Sequence, residues 1–373
     1  MLMRAVALID GEHYAPVVRD ALRALPYEWV GAILVGGTEK LRGDLDYGVP
    51  LVDGFGAAEL VVDLSDEPVL GPAERFRWIS RALAAGLPYV GADFRFDPPV
   101  FEPFELPSIA VIGTGKRVGK TAVTAHLARL LARDREVVVV AMGRGGPAAP
   151  ELIAAPPSVG DLVALSRAGR HAASDHLEIA ALAGVPTIGC RRAGGGLAGA
   201  VFHSNVAEGA RLAAERRPDI VVFDGSGAAV PPVDVDRRVL VVGRDHDADT
   251  YLNTYRRLIS DVVIRIGRDA ELRLQPTAPL EGRIAVFTAG GIDVSHLEGE
   301  VVHVSSQLAN RDVLHRELAE LDADTYLIEL KAAAIDVVAE HAVARGKRVV
   351  VARNELVGDG VDETLLSLAP VRA

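Results

Sequence analysis

Residues 113–121 read Gly-Thr-Gly-Lys-Arg-Val-Gly-Lys-Thr. A Gly-Lys-Thr ending suits phosphate binding: the lysine reaches β- and γ-phosphates and the hydroxyl holds Mg²⁺. The usual spacing, G-x-x-x-x-G-K-[ST], would put its first glycine at Thr114, with Gly113 and Gly115 on either side. Residues 109–112 form an apolar strand-length run, and good helix formers follow Thr121. A glycine turn between strand and helix aims backbone N–H groups and the positive helix end at phosphate oxygens. Lys120 is therefore a candidate catalytic residue. Gly113, Thr114, Gly115, Val118, Gly119 and Thr121 are the candidate cradle, and Thr121 is also a candidate metal ligand.

Other strand ends carry similar chemistry. Met-Gly-Arg-Gly-Gly-Pro follows a strand at 137–141; Arg144 offers a planar fork for phosphate, or is a solvated turn residue. Residues 218–227 are an apolar strand ending in Asp224 and Gly225. An aspartate there can hold Mg²⁺, or simply end the strand. Residues 185–199 set Arg191 and Arg192 before Gly194, Gly195 and Gly196. In an acidic chain this suggests a second polyanion site, with His203, Ser204 and Asn205 opening the next helix; the alternative is a mobile surface loop. Cys190 has no partner at a telling spacing and reads as a small strand-end residue. His171, Asp175, His176 and Glu178 lack defined metal spacing, which favours a solvated or partner-facing helix.

The end of the first strand carries Asp10, Glu12 and His13, and Gly36-Gly-Thr-Glu-Lys follows the second. Ligands of open α/β sheets bind at such ends, but Asp10 and Glu12 also suit a helix start. Ser305, Ser306, Asn310, Arg311 and residues 329–336 and 353–355 occupy equivalent places farther on, as site residues or as caps and interface contacts. Asn253, Tyr255 and Arg256 are candidates for nucleobase contact.

The elements that must position these groups alternate strand and helix. Strands are expected at 5–9, 30–35, 60–62 and 89–90, with helices at 15–25 and 73–85. A proline-rich linker spans 97–107. Strands follow at 109–112, 137–141, 187–189, 220–223, 239–242 and 262–266. After a loop at 275–282 come strands at 283–287, 301–304, 325–329 and 348–351, with helices at 311–321 and 333–344. This βαβ order implies parallel sheets in three domains: 1–105, a phosphate-loop core at 106–280, and 281–373. The 373 residues are 49% hydrophobic but only 5% aromatic, as buried parallel strands require. A net charge of -11 argues against nucleic-acid or anionic-membrane binding. No apolar run is long enough to span a bilayer, no signal peptide is legible, and Cys190 is the sole cysteine. A cytoplasmic location is expected.

The Gly-Thr opening and Val-Gly-Lys-Thr close of the loop resemble dethiobiotin synthetase and related P-loop proteins of the SIMIBI class. The MinD-type loop needs a lysine where Thr114 stands, which speaks against a partitioning ATPase. L-I-D-G-E-H-Y at 8–14, the loop at 113–121, M-G-R-G-G-P at 142–147 and E-L-K-A-A-A-I-D at 329–336 together resemble the cyclic 2,3-diphosphoglycerate synthetase family. The resemblance implies a P-loop core flanked by α/β domains. It implies ATP- and Mg²⁺-dependent ring closure of 2,3-diphosphoglycerate, releasing ADP and phosphate. Lys116 and Arg117, on the loop crest, would then face the second anion as well as the nucleotide. A homodimer is expected by analogy with the fold class. A related small-acid ligase or kinase, an amide ligase, or an ATPase switch are the competing readings.

Overall fold

A computed structural model of the chain describes residues 2–41 and 45–370. They form two compact units, Met1–Val100 with Asp247–Ile259, and Phe101–His246 with Ser260–Ala373. In the first, β1 (Met3–Ile9) is followed by α1 (Ala15–Ala24), β2 (Tyr27–Leu34), β3 (Leu60–Asp63), α2 (Pro72–Ala84), β4 (Tyr89–Val90) and β5 (Arg95–Phe96). The sheet order is β2-β1-β3-β4-β5. The last five residues of β1 are buried, so the strand is central and its end can carry polar groups.

The second unit holds two sheets. The first is built from β6 (Ser108–Gly113), α3 (Lys120–Leu131), β7 (Val137–Gly143), β8 (Glu151–Ile153), α4 (Val159–Arg167), α5 (Asp175–Ala183), β9 (Thr187–Ala193), β10 (His203–Ser204), α6 (Val206–Glu215), β11 (Ile220–Asp224) and β12 (Arg237–Val242). The chain then contributes α7 (Asn253–Leu258) to the first unit and returns as β13 (Val262–Arg265). The order is β10-β9-β7-β11-β6-β12-β13, with β8 beside β9. All of β6, β7 and β11 is buried, which explains their unbroken aliphatic runs. The last sheet comprises β14 (Glu271–Pro276), β15 (Arg283–Phe287), β16 (Glu300–Ser305), α8 (Arg311–Glu320), β17 (Thr325–Glu329), a π-helical segment Ala334–Ala339, α9 (Glu340–Ala344), β18 (Arg348–Val357) and α10 (Val361–Ser367). Its order is β14-β18-β17-β15-β16.

The structure corrects the expectation of wholly parallel pairing. β5, β8, β10 and β14 pair antiparallel. Three of these span only two or three residues, too few to show a period. β14 displaces part of the loop expected at 275–282, because β18 continues to Val357 and offers it an edge.

One hydrophobic cluster spans both sheets of the second unit, taking in Val123, Leu127 and Leu131 from α3 and Leu356, Val361 and Leu365 from β18 and α10. Helix α3 is consequently buried almost all round, as ten of its twelve residues show. His126 lies between Glu355 Oε1 (3.0 Å from Nδ1) and Asp362 Oδ1 (2.7 Å from Nε2). Arg129 donates to Glu355 Oε2 at 2.9 Å. The His126 bond, with Arg129 and Arg353, holds the Glu355 carboxyl down at about 2 against burial.

Candidate active site

Strand register gathers the candidate groups at one edge of the large sheet. Gly113 ends β6 opposite Val241 of β12, Asp224 pairs with Val111 and Ala141, and Gly143 pairs with Arg191. These are carboxyl ends of parallel strands, where α/β sheets bind ligands.

The loop between β6 and α3 turns through two left-handed residues, Arg117 (φ 59°) and Gly119 (φ 93°). Gly119 is the helix N-cap, and a side chain there would be strained. The Lys120 ammonium donates to Gly115 O at 3.5 Å. Burial pushes its pKa down, aided by Arg144 and Arg192 and opposed by Asp224 and Asp175. On the other side of the crest, Thr114 Oγ1 lies 3.0 Å from His246 Nδ1. The His246 ring packs so closely that a Cβ on Gly115 would come within 2.6 Å of it.

Asp224 is fully sequestered, and burial raises its carboxyl to about 7 against the pull of Lys120 and Thr124. Thr124, one turn along α3 from Lys120, donates to Oδ1 at 2.7 Å, leaving Oδ2 for a cation. A carboxylate held at neutral pH by burial gains from a divalent ion, which restores the charged form. Thr121, beside Lys120 in the first turn of α3, would supply the hydroxyl. This donor set fits Mg²⁺, which binds few protein oxygens and completes its shell with phosphate and water. Among the described residues, no group of three or more His, Cys, Asp or Glu forms a protein-only metal cage.

The arginine-glycine loop is ordered by its own contacts. Arg192 donates to Gly194 O at 3.0 Å and Ser226 O at 2.8 Å, and its Nε is buried without a hydrogen-bond partner. A Cβ on Gly227 would sit 3.5 Å from Arg192 Nη2 and 3.8 Å from Lys116 Cγ. The crest lysine and the loop arginine thus flank one glycine. Burial and Arg144 lower the Arg192 pKa, and Asp175 opposes them. Gly196 N donates to Ala200 O at 2.8 Å, so that amide is committed inside the loop. Asn205 accepts from Arg191 N at 2.7 Å and donates to Pro147 O and Ala148 O at 3.3 Å. It fastens this loop to the turn carrying Arg144. Gly194, Gly195 and His203 are exposed.

Matches to described families cover most of the chain. "Cyclic 2,3-diphosphoglycerate synthetase, P-loop domain" matches residues 108–275. The N-terminal domain of that family matches 4–58 and 55–97, and its C-terminal domain 289–355. The chain belongs to the cyclic 2,3-diphosphoglycerate synthetase family. A relative of that name from Rubrobacter xylanophilus is 47% identical over 98% of this chain and 97% of its own length. Relatives from Pyrococcus abyssi (39%; 94% and 93%) and Methanothermobacter thermautotrophicus (36%; 98% and 96%) bear the same name. Among solved structures, LpxK from Aquifex aeolicus, in complex with ATP, is 14% identical with a TM-score of 0.44, over 72% of this chain and 89% of its own.

Other candidates in this family member are placed differently. Asp10 is buried and accepts from Glu12 N (2.9 Å), His13 N (3.1 Å), His13 Nδ1 (2.9 Å) and Asp66 N (2.7 Å). Burial works to raise its pKa, but these bonds hold it below the usual carboxylate range. Asp10 organises the turn, and the N-cap of α1 is Tyr14. His13 Nε2 also lies 3.4 Å from Asp66. Asn253 donates to Asp247 O at 3.0 Å and accepts from Arg256 at 3.4 Å; the helix carrying it belongs to the first compact unit. Burial drives the Cys190 thiol up to about 12, which disarms it as a nucleophile.

The solvated reading fails for His176 and Glu178, which are buried, while His171 is exposed and Asp175 half-buried. A Cβ on Gly143 would lie 3.1 Å from Asp175 Oδ2, so this carboxylate stands at the end of β7. His246 and Thr124 stand beside the candidate loop and were not singled out in the sequence, whereas Asp175 was weighed there only as a metal ligand. Only Thr124 had a usable signal: its one-turn offset from Lys120 on the helix face toward β11.

Proposed function

We propose that this protein closes 2,3-diphosphoglycerate into its cyclic pyrophosphate at the expense of ATP, with Mg²⁺. The observation that carries the reading is the pairing of a P-loop lysine with an anchored arginine at one sheet edge. Lys120 and Arg192 each feel Arg144 and Asp175, so two anion-binding devices share one neighbourhood. The names of the family relatives point the same way.

Lys120 and the 113–121 amides bind the ATP phosphates, while Thr121 and Asp224 would hold Mg²⁺, which would supply charge neutralisation to the phosphates. Arg144, Arg191, Arg192, Lys116 and Arg117 receive the diphosphorylated acid, with the 194–196 loop and His203 at its rim. An oxygen of one substrate phosphate attacks the γ-phosphorus, and the β–γ bond breaks to release ADP. An oxygen of the other substrate phosphate then attacks the phosphorus so activated. It forms the ring pyrophosphate bond and expels the transferred group as inorganic phosphate. The nucleophiles are already anionic, so catalysis rests on positioning and charge neutralisation.

Asp10, Glu12 and His13 remain proposed substrate contacts, and Asn253 a proposed base contact. The 1–105, 106–280 and 281–373 division, a homodimer and a cytoplasmic location belong to the same reading. Among the described residues no helix is long and apolar enough to cross a membrane. Phosphorus NMR of the protein with 2,3-diphosphoglycerate, ATP and Mg²⁺ is expected to show a new cyclic pyrophosphate signal. Its absence from protein that binds ATP would refute the activity.

A further inference from the structure

The motif Glu329-Leu-Lys-Ala-Ala-Ala-Ile-Asp has no part in the site described so far. Its lysine crosses to the large sheet. Lys331 Nζ donates to both oxygens of Glu178, at 2.7 and 2.9 Å. Glu178 is buried, with a side chain 9% exposed, and among the described residues Lys331 is the side chain that bonds its carboxylate. Glu329 lies in the same group and is itself fixed. Its Oε2 accepts from Ala289 N at 2.6 Å and its Oε1 from Asn354 Nδ2 at 2.9 Å.

A buried carboxylate gripped through both oxygens constrains the rotation of its helix; burial pushes the Glu178 pKa up and Lys331 opposes that rise. Glu178 stands three residues after Asp175 on α5, so the two share a helix face. Asp175 in turn stands at the end of β7, against Gly143. It is a common anionic neighbour of Lys120, Arg192 and Lys331. Burial works against the Lys331 charge, and Glu178 with Glu329 outweighs it, so the ammonium stays protonated.

We propose that Lys331 is a positioning residue for phosphoryl transfer: by clamping Glu178 it sets helix α5 so that Asp175 stands among the site cations at the end of β7. The last sheet would then be a working part of the nucleotide site. The inference rests on the proposed function only in that the site transfers a phosphoryl group.

A double-mutant cycle tests it, using Lys331→Met, Asp175→Asn and the pair. The readout is the rate of ADP release, which any phosphoryl transfer from ATP at this site yields whatever the acceptor. The cyclic product of the wild type tests the function separately. Lys331→Met is expected to lower kcat by about tenfold or more, a misplacement effect, with KM for ATP nearly unchanged. On the Asp175→Asn background it is expected to change kcat by less than about twofold, while its lowering of Tm persists. If the two effects on kcat multiply, Lys331 does not act through Asp175 and the proposal fails. Glu178→Leu with Lys331→Met replaces the buried charges by an apolar pair, which such sites often tolerate. Recovery of Tm without recovery of kcat supports positioning; recovery of both overturns it. Lys331→Arg, which keeps charge and reach, should retain most of the rate.

Discussion

Arg192→Ala gives the sharpest measure of the second anion site. The guanidinium is held by Gly194 O at 3.0 Å and Ser226 O at 2.8 Å. Two of its donors are thus spent on orientation, and the fork is fixed before substrate arrives. A hydrogen bond to a charged partner contributes about 1.5–3 kcal/mol. At about 1.4 kcal/mol per factor of ten, losing one phosphate contact lowers kcat/KM for diphosphoglycerate by roughly 10- to 150-fold. Arg192 bears on Lys120 only through a screened field, so ATP affinity should move by less than about threefold. Arg192→Lys should fall between wild type and alanine, because an ammonium cannot hold two carbonyls and a phosphate in one plane. The assay is initial-rate ADP release with diphosphoglycerate varied at saturating Mg-ATP, alongside calorimetric ATP binding. An unchanged KM for diphosphoglycerate with a raised KM for ATP would refute the assignment of Arg192 to the substrate.

Three further outcomes follow from the same geometry. The Asp224 carboxyl is raised to about 7 from an ordinary value of 3.8; its stabilising contribution is full below the unfolded value and is lost as pH rises through 7. Without metal, wild-type Tm should therefore gain more than that of Asp224→Asn as pH falls from 8 to 6. Mg²⁺-dependent turnover of the wild type should fall below about pH 7, where a proton must be displaced. Thr124→Val removes the 2.7 Å bond to Asp224, which favours the charged form. The acid limb of the pH–rate profile should shift upward, and an unmoved limb would show that Thr124 does not tune this carboxylate. Gly115→Ala would place a Cβ 2.6 Å from the His246 ring and push it off Thr114. Losing one neutral hydrogen bond, about 0.5–1.5 kcal/mol, should raise KM for ATP by roughly two- to tenfold; unchanged steady-state kinetics would discount His246.

The parts of the site legible in the sequence are those built by local order. Strand, glycine turn and helix are contiguous at 108–131, so Lys120 and Thr121 could be read directly. Asp224 was legible because it ends a run of aliphatics. His246 was not, because its relevance depends on β12 neighbouring β6, which sets it beside Thr114, 132 positions away. Asp175 was not, because no spacing shows that the start of α5 stands against the end of β7. Glu178 read as a solvated charge because its partner Lys331 lies 153 residues on. β14 alternated apolar and polar residues, but its proline and its place after β13 disguised it as a loop.

The near-complete burial of α3 bears on how the chain can be divided. A helix in an isolated P-loop domain would need one wet face. Here the far face is covered by β18 and α10, with His126 and Arg129 reaching Glu355 and Asp362. A fragment ending near residue 280 would expose Leu127, Leu131 and their neighbours together with a stranded histidine and arginine. Such a fragment should aggregate on expression, even though its sequence contains every P-loop residue. Any shuffling of this core onto a different C-terminal partner must therefore recreate the cover over α3 before it can recreate the chemistry.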